Sequence, residues 1–287
     1  MPATVRAFCP GHISGYFKPV LTGDLATTGS LGAGVVIDQG VTVDVARARF
    51  PEVSILRKDM NGRILESRPG SAPVESLMEM MGVSSRIVTE CRLPIGAGFG
   101  LSAAALMASA LALNVLHDLG LSREECAGLA HITEVEHRTG LGDVAACQEG
   151  GMDCRNGAGL AGEIRRDYDR DLHMAAVTFS ALPSPSVLNS PESLERITSA
   201  FPGKCPDSPE EFFLLSRQFA EASGLITPPV RNALSVCDAR GIPASMTMLG
   251  NGVFAMGAQA GQVLSGLGDV FNLEVAEEGV RVLEVTR

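Results

Sequence analysis

Three glycines at alternate positions, followed by an alanine-rich run, constrain the fold of this chain more than any other feature. Gly96, Gly98 and Gly100 lie between a short strand predicted over residues 88–93 and an apolar helix predicted over residues 102–119. Such a loop leaves the N–H groups of the first helical turn unpaired, at the positive end of the helix dipole. Because glycine has no Cβ atom, a polyphosphate can approach the backbone closely. The stretch therefore predicts an anion-binding loop.

Two common nucleotide-binding motifs do not describe this loop. A P-loop needs lysine and then serine or threonine after its last glycine, but Leu101 occupies the lysine position. The dinucleotide fingerprint is G-x-G-x-x-G, whereas this loop is G-x-G-x-G. The glycines also suit a tight turn that binds nothing, so the loop alone leaves both interpretations open.

Composition narrows the possible classes of protein. The 287 residues suit one large or two moderate domains. The 33 acidic side chains outnumber the 23 basic ones, which disfavours nucleic acid and anionic membranes as partners. Seven cysteines without a C-x-x-C pair, and a start without an apolar signal core, predict free thiols in a reducing cytoplasm and no structural zinc. The apolar run over residues 102–119 is too short to span a bilayer, so a soluble protein is expected.

The rest of the pattern predicts strands in both halves of the chain with helices between them. Residues 5–49 predict β-structure punctuated by glycine. Ser122 and Glu125 form a capping box that opens a helix to about residue 137. The other predicted elements are helices over residues 73–81, 208–224 and 227–241, strands over 85–93, 172–179 and 280–285, hairpins over 55–64 and 245–258, and a loop over 183–191.

Four segments, in chain order, resemble the motifs of the GHMP kinases, the superfamily of galactokinase, homoserine kinase, mevalonate kinase and phosphomevalonate kinase. Residues 8–17 resemble the first motif, with His12 in place of its usual lysine. Residues 94–105 have the spacing Pro-x-x-x-Gly-x-Gly-x-Ser-Ala-Ala of the second motif. Residues 139–143 resemble the turn that carries the catalytic aspartate, and residues 245–252 resemble a glycine-poor third motif. The details of the first, middle and last segments are most similar to the archaeal pantoate kinase branch.

This resemblance implies a fold and an activity. The fold would be α+β, the GHMP kinase fold. It would have an N-terminal mixed α/β domain that binds ATP (residues 1–165), a C-terminal ferredoxin-like domain (residues 166–287), and the active cleft between them. The charge-dense segment over residues 165–171 suits that boundary. The implied activity is ATP-dependent phosphorylation of pantoate to 4-phosphopantoate, in archaeal coenzyme A biosynthesis, with ATP and Mg²⁺.

The resemblance also implies roles for the residues of the second motif. Ser102 matches a hydroxyl implied to reach Mg²⁺ and to assist catalysis, although a serine there also suits a plain helix N-cap. The residues expected to bind ATP are Pro94, Gly96, Ala97, Gly98, Phe99, Gly100, Leu101, Ser102 and Ala103.

The resemblance of residues 139–143 implies that Asp143 is the catalytic residue. It would accept the proton of the substrate hydroxyl; orientation of that hydroxyl, or an Asx-turn, are the alternatives. His12, at the family's lysine position, would hydrogen-bond the substrate carboxylate or hydroxyl. The residues expected to bind substrate are His12, Ser14, Gly15, Arg138, Gly142 and Asp143.

Two assignments remain open from the sequence. Glu134 matches the implied magnesium-binding glutamate, but Glu136 is a rival, and side chains two residues apart on a helix point about 200° apart. Arg138 and Arg155 can each neutralise a substrate carboxylate.

The substrate and the partners also have alternatives. Homoserine, shikimate and mevalonate are alternative substrates, and a non-catalytic small-molecule-binding relative is an alternative from another class. A homodimer is left open.

Overall fold

Two β-sheets organise the computed structural model, which describes residues 2–169, 171–182 and 184–287. The first sheet contains β1 (Thr4–Val20), β2 (Gly29–Arg47), β3 (Glu52–Lys58), β4 (Ile64–Pro69), β5 (Ser85–Cys91), β6 (Met152–Arg155) and β7 (Ile164–Asp167). The second contains β8 (His173–Ser180), β9 (Ala244–Met246), β10 (Asn251–Met256) and β11 (Val270–Glu274), while the last strand, β12 (Arg281–Thr286), returns to the first sheet.

The strand orders differ between the two sheets. The first sheet runs β12-β1-β2-β5-β3-β4, with β6 pairing with both β2 and β7. Its β3–β5 pair is parallel, and β1 and β2 form a long antiparallel ladder. The second sheet runs β11-β8-β10-β9 and is antiparallel. The mixed first sheet, the antiparallel second sheet and the intervening helices confirm the predicted α+β class.

Helices connect the strands and cover the sheets. They are α1 (Ala72–Met80), α2 (Leu101–His117), α3 (Arg123–Glu136), α4 (Asp143–Cys147), α5 (Ser184–Leu188), α6 (Pro191–Ala200), α7 (Pro209–Ser223), α8 (Pro228–Asp238) and α9 (Ala260–Leu264).

The alanine-rich run forms the central helix, as predicted. Alanine, leucine and methionine side chains of α2 are buried on most sides, because the helix packs against β1, β2 and α3. It ends earlier than expected: Asp118, not Gly120, takes the left-handed C-cap, with φ 56°. The capping box of α3 is confirmed, since Ser122 Oγ accepts from Glu125 N at 3.1 Å and Glu125 Oε2 accepts from Ser122 N at 2.7 Å.

The expected loop over residues 183–191 is wrong in part. Residue 183 lies outside the described residues, but α5 begins at Ser184 and α6 begins at Pro191. The prediction missed these helices because proline suits the first turn of a helix as well as a loop. It also missed β6, β7, β11 and α9, which are short.

The expected boundary between residues 165 and 166 falls inside β7, which pairs with β6. The strand β12 pairs with β1, so the C-terminal end of the chain rejoins the first sheet. Pairing therefore assigns residues 166–167 and 281–286 to the N-terminal sheet. The division into two domains remains a prediction.

Two of the seven cysteines depart from the expected free thiols. Cys154 of β6 and Cys205 form a disulfide across a sequence separation of 51 residues, with Cα atoms 5.7 Å apart. No local spacing pattern marks such a distant pair, which is why the sequence did not indicate it. The remaining cysteines are buried free thiols: Cys9, Cys91, Cys126, Cys147 and Cys237.

Among the described residues, none of the helices combines the length and the apolar character needed to cross a membrane.

Candidate active site

The glycine loop leads directly into the N-terminus of α2, as the sequence predicts. Gly96, Gly98 and Gly100 have φ values of 76°, 84° and 62°, in the left-handed region that favours glycine. Ala104 N donates a helical hydrogen bond to Gly100 O at 3.1 Å. The N–H groups of residues 101–103 precede that bond, so they are available to an anion at the loop.

A second loop from the C-terminal half supports the glycine loop. A Cβ atom on Gly98 would lie 2.8 Å from Met248 O and 3.0 Å from Thr247 Cβ. This contact places residues 247–250, the third motif, directly against the second motif. On the other side, His12 N donates to Phe99 O at 2.9 Å, which ties β1 to the same loop. The three glycine-containing segments thus meet at one place.

A cavity of about 300 Å³ opens at this junction. One part is lined by the glycine loop and Ser102, and another by polar groups around Asp143. Apolar side chains of the first sheet and α1 line a further part, including Val41, Ile55 and Val74. Polar and charged residues that line it include His12, Ser14, Ser30, Ser102, Thr139 and Asp143. A cavity with mostly apolar walls and few polar groups is typical of a small-molecule site.

His12 lies in a chain of alternating charges that ends in the cavity. Its Nδ1 is 2.6 Å from Asp143 Oδ1, and its Nε2 is 2.6 Å from Asp153 Oδ1. Asp153 Oδ2 accepts from Arg155 Nη1 in a buried ion pair. The order is therefore Arg155, Asp153, His12 and Asp143, with the Asp143 side chain 20% exposed and the His12 and Asp153 side chains fully buried.

The carboxylates keep His12 charged in spite of its burial. Burial lowers the pKa of His12, but Asp153 and Asp143 outweigh it and raise the pKa to about 9. Burial likewise raises the pKa of Asp153, but Arg155 and His12 outweigh it and hold that pKa well below its ordinary value. His12 is therefore an imidazolium at neutral pH, so the positive charge of the family's usual lysine is kept at this position.

This charge makes stability depend on pH. A pKa raised from 6.5 to about 9 stabilises the fold fully below pH 6.5, and the stabilisation is lost as the pH rises through 9. We expect the free energy of unfolding to fall by about 2 kcal/mol more in the wild type than in His12→Asn between pH 6.5 and 8.5. Chemical denaturation of both proteins across that range measures it; parallel pH profiles would contradict a charged His12.

Glu134 points inward and Glu136 outward, which separates the two magnesium candidates. Glu134 is fully buried, whereas Glu136 is exposed. Glu134 Oε2 accepts from Val144 N at 3.4 Å, and Glu134 Oε1 has no hydrogen-bond partner among the described residues. Burial, and then the charge of Asp143, raise the pKa of Glu134 well above its ordinary value. A cation beside these two carboxylates would relieve both effects.

The structure places some of the other expected site residues at the cavity and others away from it. Ser14, Gly142 and Ser102 line the cavity with the glycine loop, as do Phe99 and Leu101. Gly15 instead packs under α7, where a Cβ atom would collide with Phe212 and Ser216. Arg138 is exposed and donates to Asn189 Oδ1. Pro94, Ala97 and Ala103 belong to the loop and helix start without being among the described lining residues; their contact with ATP remains a prediction.

Sequence reasoning missed Asp153 and undervalued Arg155. Both side chains are buried on β6, a strand of four residues that the pattern did not predict. Arg155 Nε has no hydrogen-bond partner among the described residues, and a Cβ atom on Gly142 would be 3.0 Å from it. The alternation of Asp153 and Arg155 after a Gly-Gly pair was the one local signal available, because alternate strand residues share a face.

Comparison with known proteins places this arrangement in a family. Residues 72–151 match the GHMP kinases N terminal domain. The chain is 45% identical to a pantoate kinase of Methanospirillum hungatei, over 97% of this chain and 96% of that protein. It also resembles the solved structure of a "phosphotransferase related to CoA biosynthesis pathway", with a TM-score of 0.79, 26% identity and 98% of each chain covered.

A more distant solved structure has the same fold. Homoserine kinase from Cytophaga hutchinsonii aligns with a TM-score of 0.66 and 18% identity, over 99% of this chain and 98% of that one. With nearly half of its residues shared with a pantoate kinase over almost its whole length, the chain belongs to the GHMP kinase superfamily, in the archaeal pantoate kinase branch.

Proposed function

We propose that this protein transfers the γ-phosphoryl group of ATP to the 4-hydroxyl group of pantoate, giving 4-phosphopantoate and ADP for archaeal coenzyme A biosynthesis. The observation that carries the proposal is one cavity that joins the glycine loop at the α2 N-terminus to Asp143 and His12. The 45% identity to a pantoate kinase supports the choice of substrate.

The glycine loop would hold the ATP phosphates. Backbone N–H groups at the N-terminus of α2 suit phosphate oxygens, and the left-handed glycines let the phosphates approach the backbone. The apolar walls at Val41, Ile55 and Val74 offer a dry surface for the base. Phosphoryl transfer needs mainly positioning and charge neutralisation, which fits a site with little nucleophilic chemistry of its own.

The residues present fit Mg²⁺. Glu134 Oε1 is buried and has no hydrogen-bond partner in the described part of the chain. A Cβ atom on Gly140 would contact Glu134 and lie 2.9 Å from Asp143 Oδ2, so the two carboxylates converge. We assign Glu134 and Ser102 as the protein ligands, since Mg²⁺ takes oxygen ligands and few carboxylates. When bound, Mg²⁺ neutralises charge on the transferred phosphate.

Removing one of the protein oxygens proposed to bind Mg²⁺ tests that assignment. Glu134→Gln should raise the Mg²⁺ concentration needed for half-maximal rate about tenfold or more, because a site with few protein ligands tolerates little loss. Ser102→Ala should shift it in the same direction. The matched control is Glu136→Gln on the same helix, whose exposed side chain predicts an unchanged magnesium curve. An unchanged curve for Glu134→Gln together with a shifted one for Glu136→Gln would move the ligand by two residues.

The substrate carboxylate would meet Arg155 rather than Arg138. Arg155 is buried and is not itself among the described residues that line the cavity, but its Nε, which has no hydrogen-bond partner among the described residues, lies directly behind Gly142, which does line it. Arg138 is exposed and engaged with Asn189. A guanidinium binds a carboxylate strongly where water is excluded. Pantoate carries such a carboxylate as well as its hydroxyl groups.

Asp143 would serve the transfer step. The pantoate hydroxyl oxygen forms a bond to the γ-phosphorus as the bond from that phosphorus to the bridging oxygen of ADP breaks, and the hydroxyl proton passes to Asp143. His12 is hydrogen-bonded to Asp143 Oδ1 and fixes the orientation of the carboxylate. The other oxygen of that carboxylate, Oδ2, would receive the proton.

Cellular placement and assembly are proposals of the same kind. We place the protein in the cytoplasm, where ATP is available. A homodimer is proposed, and light scattering of the purified protein tests it.

Product identification tests the function. Incubation of the protein with ATP, Mg²⁺ and pantoate should give a compound one phosphoryl group heavier than pantoate, with a phosphomonoester signal in phosphorus NMR coupled to the C4 methylene protons. Phosphate on another oxygen, or ATP hydrolysis without that product, would contradict the proposal. Binding of pantoate and of ATP without any conversion of ATP to ADP would favour the non-catalytic relative.

A further inference from the structure

A single buried carboxylate, Asp153, joins two cations of the site that have different tasks. One oxygen is 2.6 Å from His12 Nε2, and the other accepts from Arg155 Nη1. The Asp153 side chain is fully buried, and it is absent from the described residues that line the active-site cavity. Asp153 therefore does not touch the space available to ATP or pantoate, and any effect on the reaction passes through its two partners.

The backbone arranges this bridge. Asp153 and Arg155 are alternate residues of β6 and share a face. They pair in register with Gly34 and Gly32 of β2. A Cβ atom on Gly34 would collide with the His12 imidazole, so the glycine leaves the space through which the ring reaches Asp153.

Among the described residues, the surroundings of His12 supply no group other than Asp153 that would hold Nε2. His12 lies on β1, and the ionisable groups shown to act on it are Asp143 and the neutral thiol of Cys147 from α4 and Asp153 from β6. Asp143 occupies Nδ1. Within the described residues, the orientation of the imidazolium therefore depends on Asp153.

We propose that Asp153 is a positioning residue that fixes His12 and Arg155 relative to each other, and thereby sets the distance between the phosphate-accepting hydroxyl and the carboxylate of the hydroxy-acid substrate. This inference rests on the proposed function, in which His12 orients Asp143 and Arg155 receives the carboxylate. A rigid bridge between the two ends selects substrates by the span between their hydroxyl and carboxylate groups.

Steady-state kinetics of Asp153→Asn test the bridge. Asparagine keeps the shape but carries no charge, and its amide nitrogen cannot accept from a cation. We expect kcat to fall about tenfold to a hundredfold and KM for pantoate to rise about tenfold, with KM for ATP unchanged. The matched control is Asp44→Asn, which removes a strand carboxylate paired with Arg6 away from the cavity and should leave all three values unchanged. An equal rise in KM for pantoate and KM for ATP, or no change in kcat and KM for pantoate, would overturn the proposal.

A double-mutant cycle separates positioning from general destabilisation. If Asp153 acts on kcat through His12, then Asp153→Asn should lower kcat in the wild type but change it less than about threefold in a His12→Asn background. Additive losses in the two backgrounds would overturn the proposal.

Nitrogen NMR of the histidine rings tests the contact between His12 and Asp153 without a measurement of enzyme activity. In protein labelled with ¹⁵N-histidine, the His12 signals, assigned as those lost in His12→Asn, should show both ring nitrogens protonated at pH 7. In Asp153→Asn the Nε2 signal should move away from that position, and in Asp44→Asn it should stay. A neutral His12 in the wild type, or a spectrum unaltered by Asp153→Asn, would overturn the bridge. A wild-type protein that turns over no pantoate but shows these signals would overturn the proposed function alone.

Discussion

Replacing Asp143 by asparagine is expected to lower kcat for pantoate phosphorylation by about two to four orders of magnitude, the usual range for a positioned acid–base group. The amide oxygen can still accept from His12 Nδ1, which lies 2.6 Å from the carboxylate in the wild type. The substitution therefore keeps the local shape and removes the charge and the proton acceptor. Because the lost interaction belongs mainly to the transition state, kcat and kcat/KM should fall together.

Binding measurements distinguish this result from a damaged site. Calorimetry should give nearly unchanged dissociation constants for ATP and for pantoate with Asp143→Asn. Near-normal turnover would remove Asp143 from the mechanism. A normal kcat with a large rise in KM would instead make Asp143 a ground-state binding residue.

Replacing Gly98 by valine is expected to weaken ATP binding about a hundredfold or more. Gly98 has φ 84°, a conformation that costs an L-residue roughly 1–2 kcal/mol, and its Cβ atom would lie 2.8 Å from Met248 O. Relief of that contact needs the glycine loop to move away from residues 247–250, which displaces the N–H groups that face the phosphates. Each 1.4 kcal/mol lost is a tenfold change in affinity. Titration with a non-hydrolysable ATP analogue measures it.

Gly62→Val is the matched control for that experiment. Gly62 has a similar φ of 80°, but a Cβ atom there would meet nothing within 4 Å. It lies in the turn between β3 and β4, away from the residues that line the cavity. Valine at Gly62 should strain the turn and leave nucleotide affinity unchanged. If Gly98→Val also binds the analogue normally, the glycine loop is only a structural turn.

Local signals in the sequence were strong enough to predict the glycine loop, the helix that follows it, and the residues His12 and Asp143. The left-handed glycines, the apolar α2 and the Ser122–Glu125 capping box each depend on contacts within a few residues. His12 and Asp143 were found through motifs of short span, and the structure brings them within 2.6 Å of each other across 131 residues of sequence.

Features decided by distant contacts could not be read from the sequence. The choice between Glu134 and Glu136 depends on which face of α3 packs inward, and the helix pattern was compatible with either. Asp153 gains its partners only because β6 pairs with β2, and a four-residue strand carries too little periodicity to be recognised. The Cys154–Cys205 bond likewise depends on the fold bringing two remote segments together.

An ADP-release assay over pantoate, homoserine, mevalonate and shikimate tests the central claim most directly. The purified wild type, with ATP and Mg²⁺, should release ADP in proportion to pantoate, with little release for the other three alcohols. Asp143→Asn should lower the rate of pantoate-dependent release by about a hundredfold or more. Turnover of homoserine, mevalonate or shikimate with pantoate inert would contradict the pantoate assignment and leave the kinase fold standing. ADP release that does not increase with any of the four alcohols would contradict the kinase activity itself.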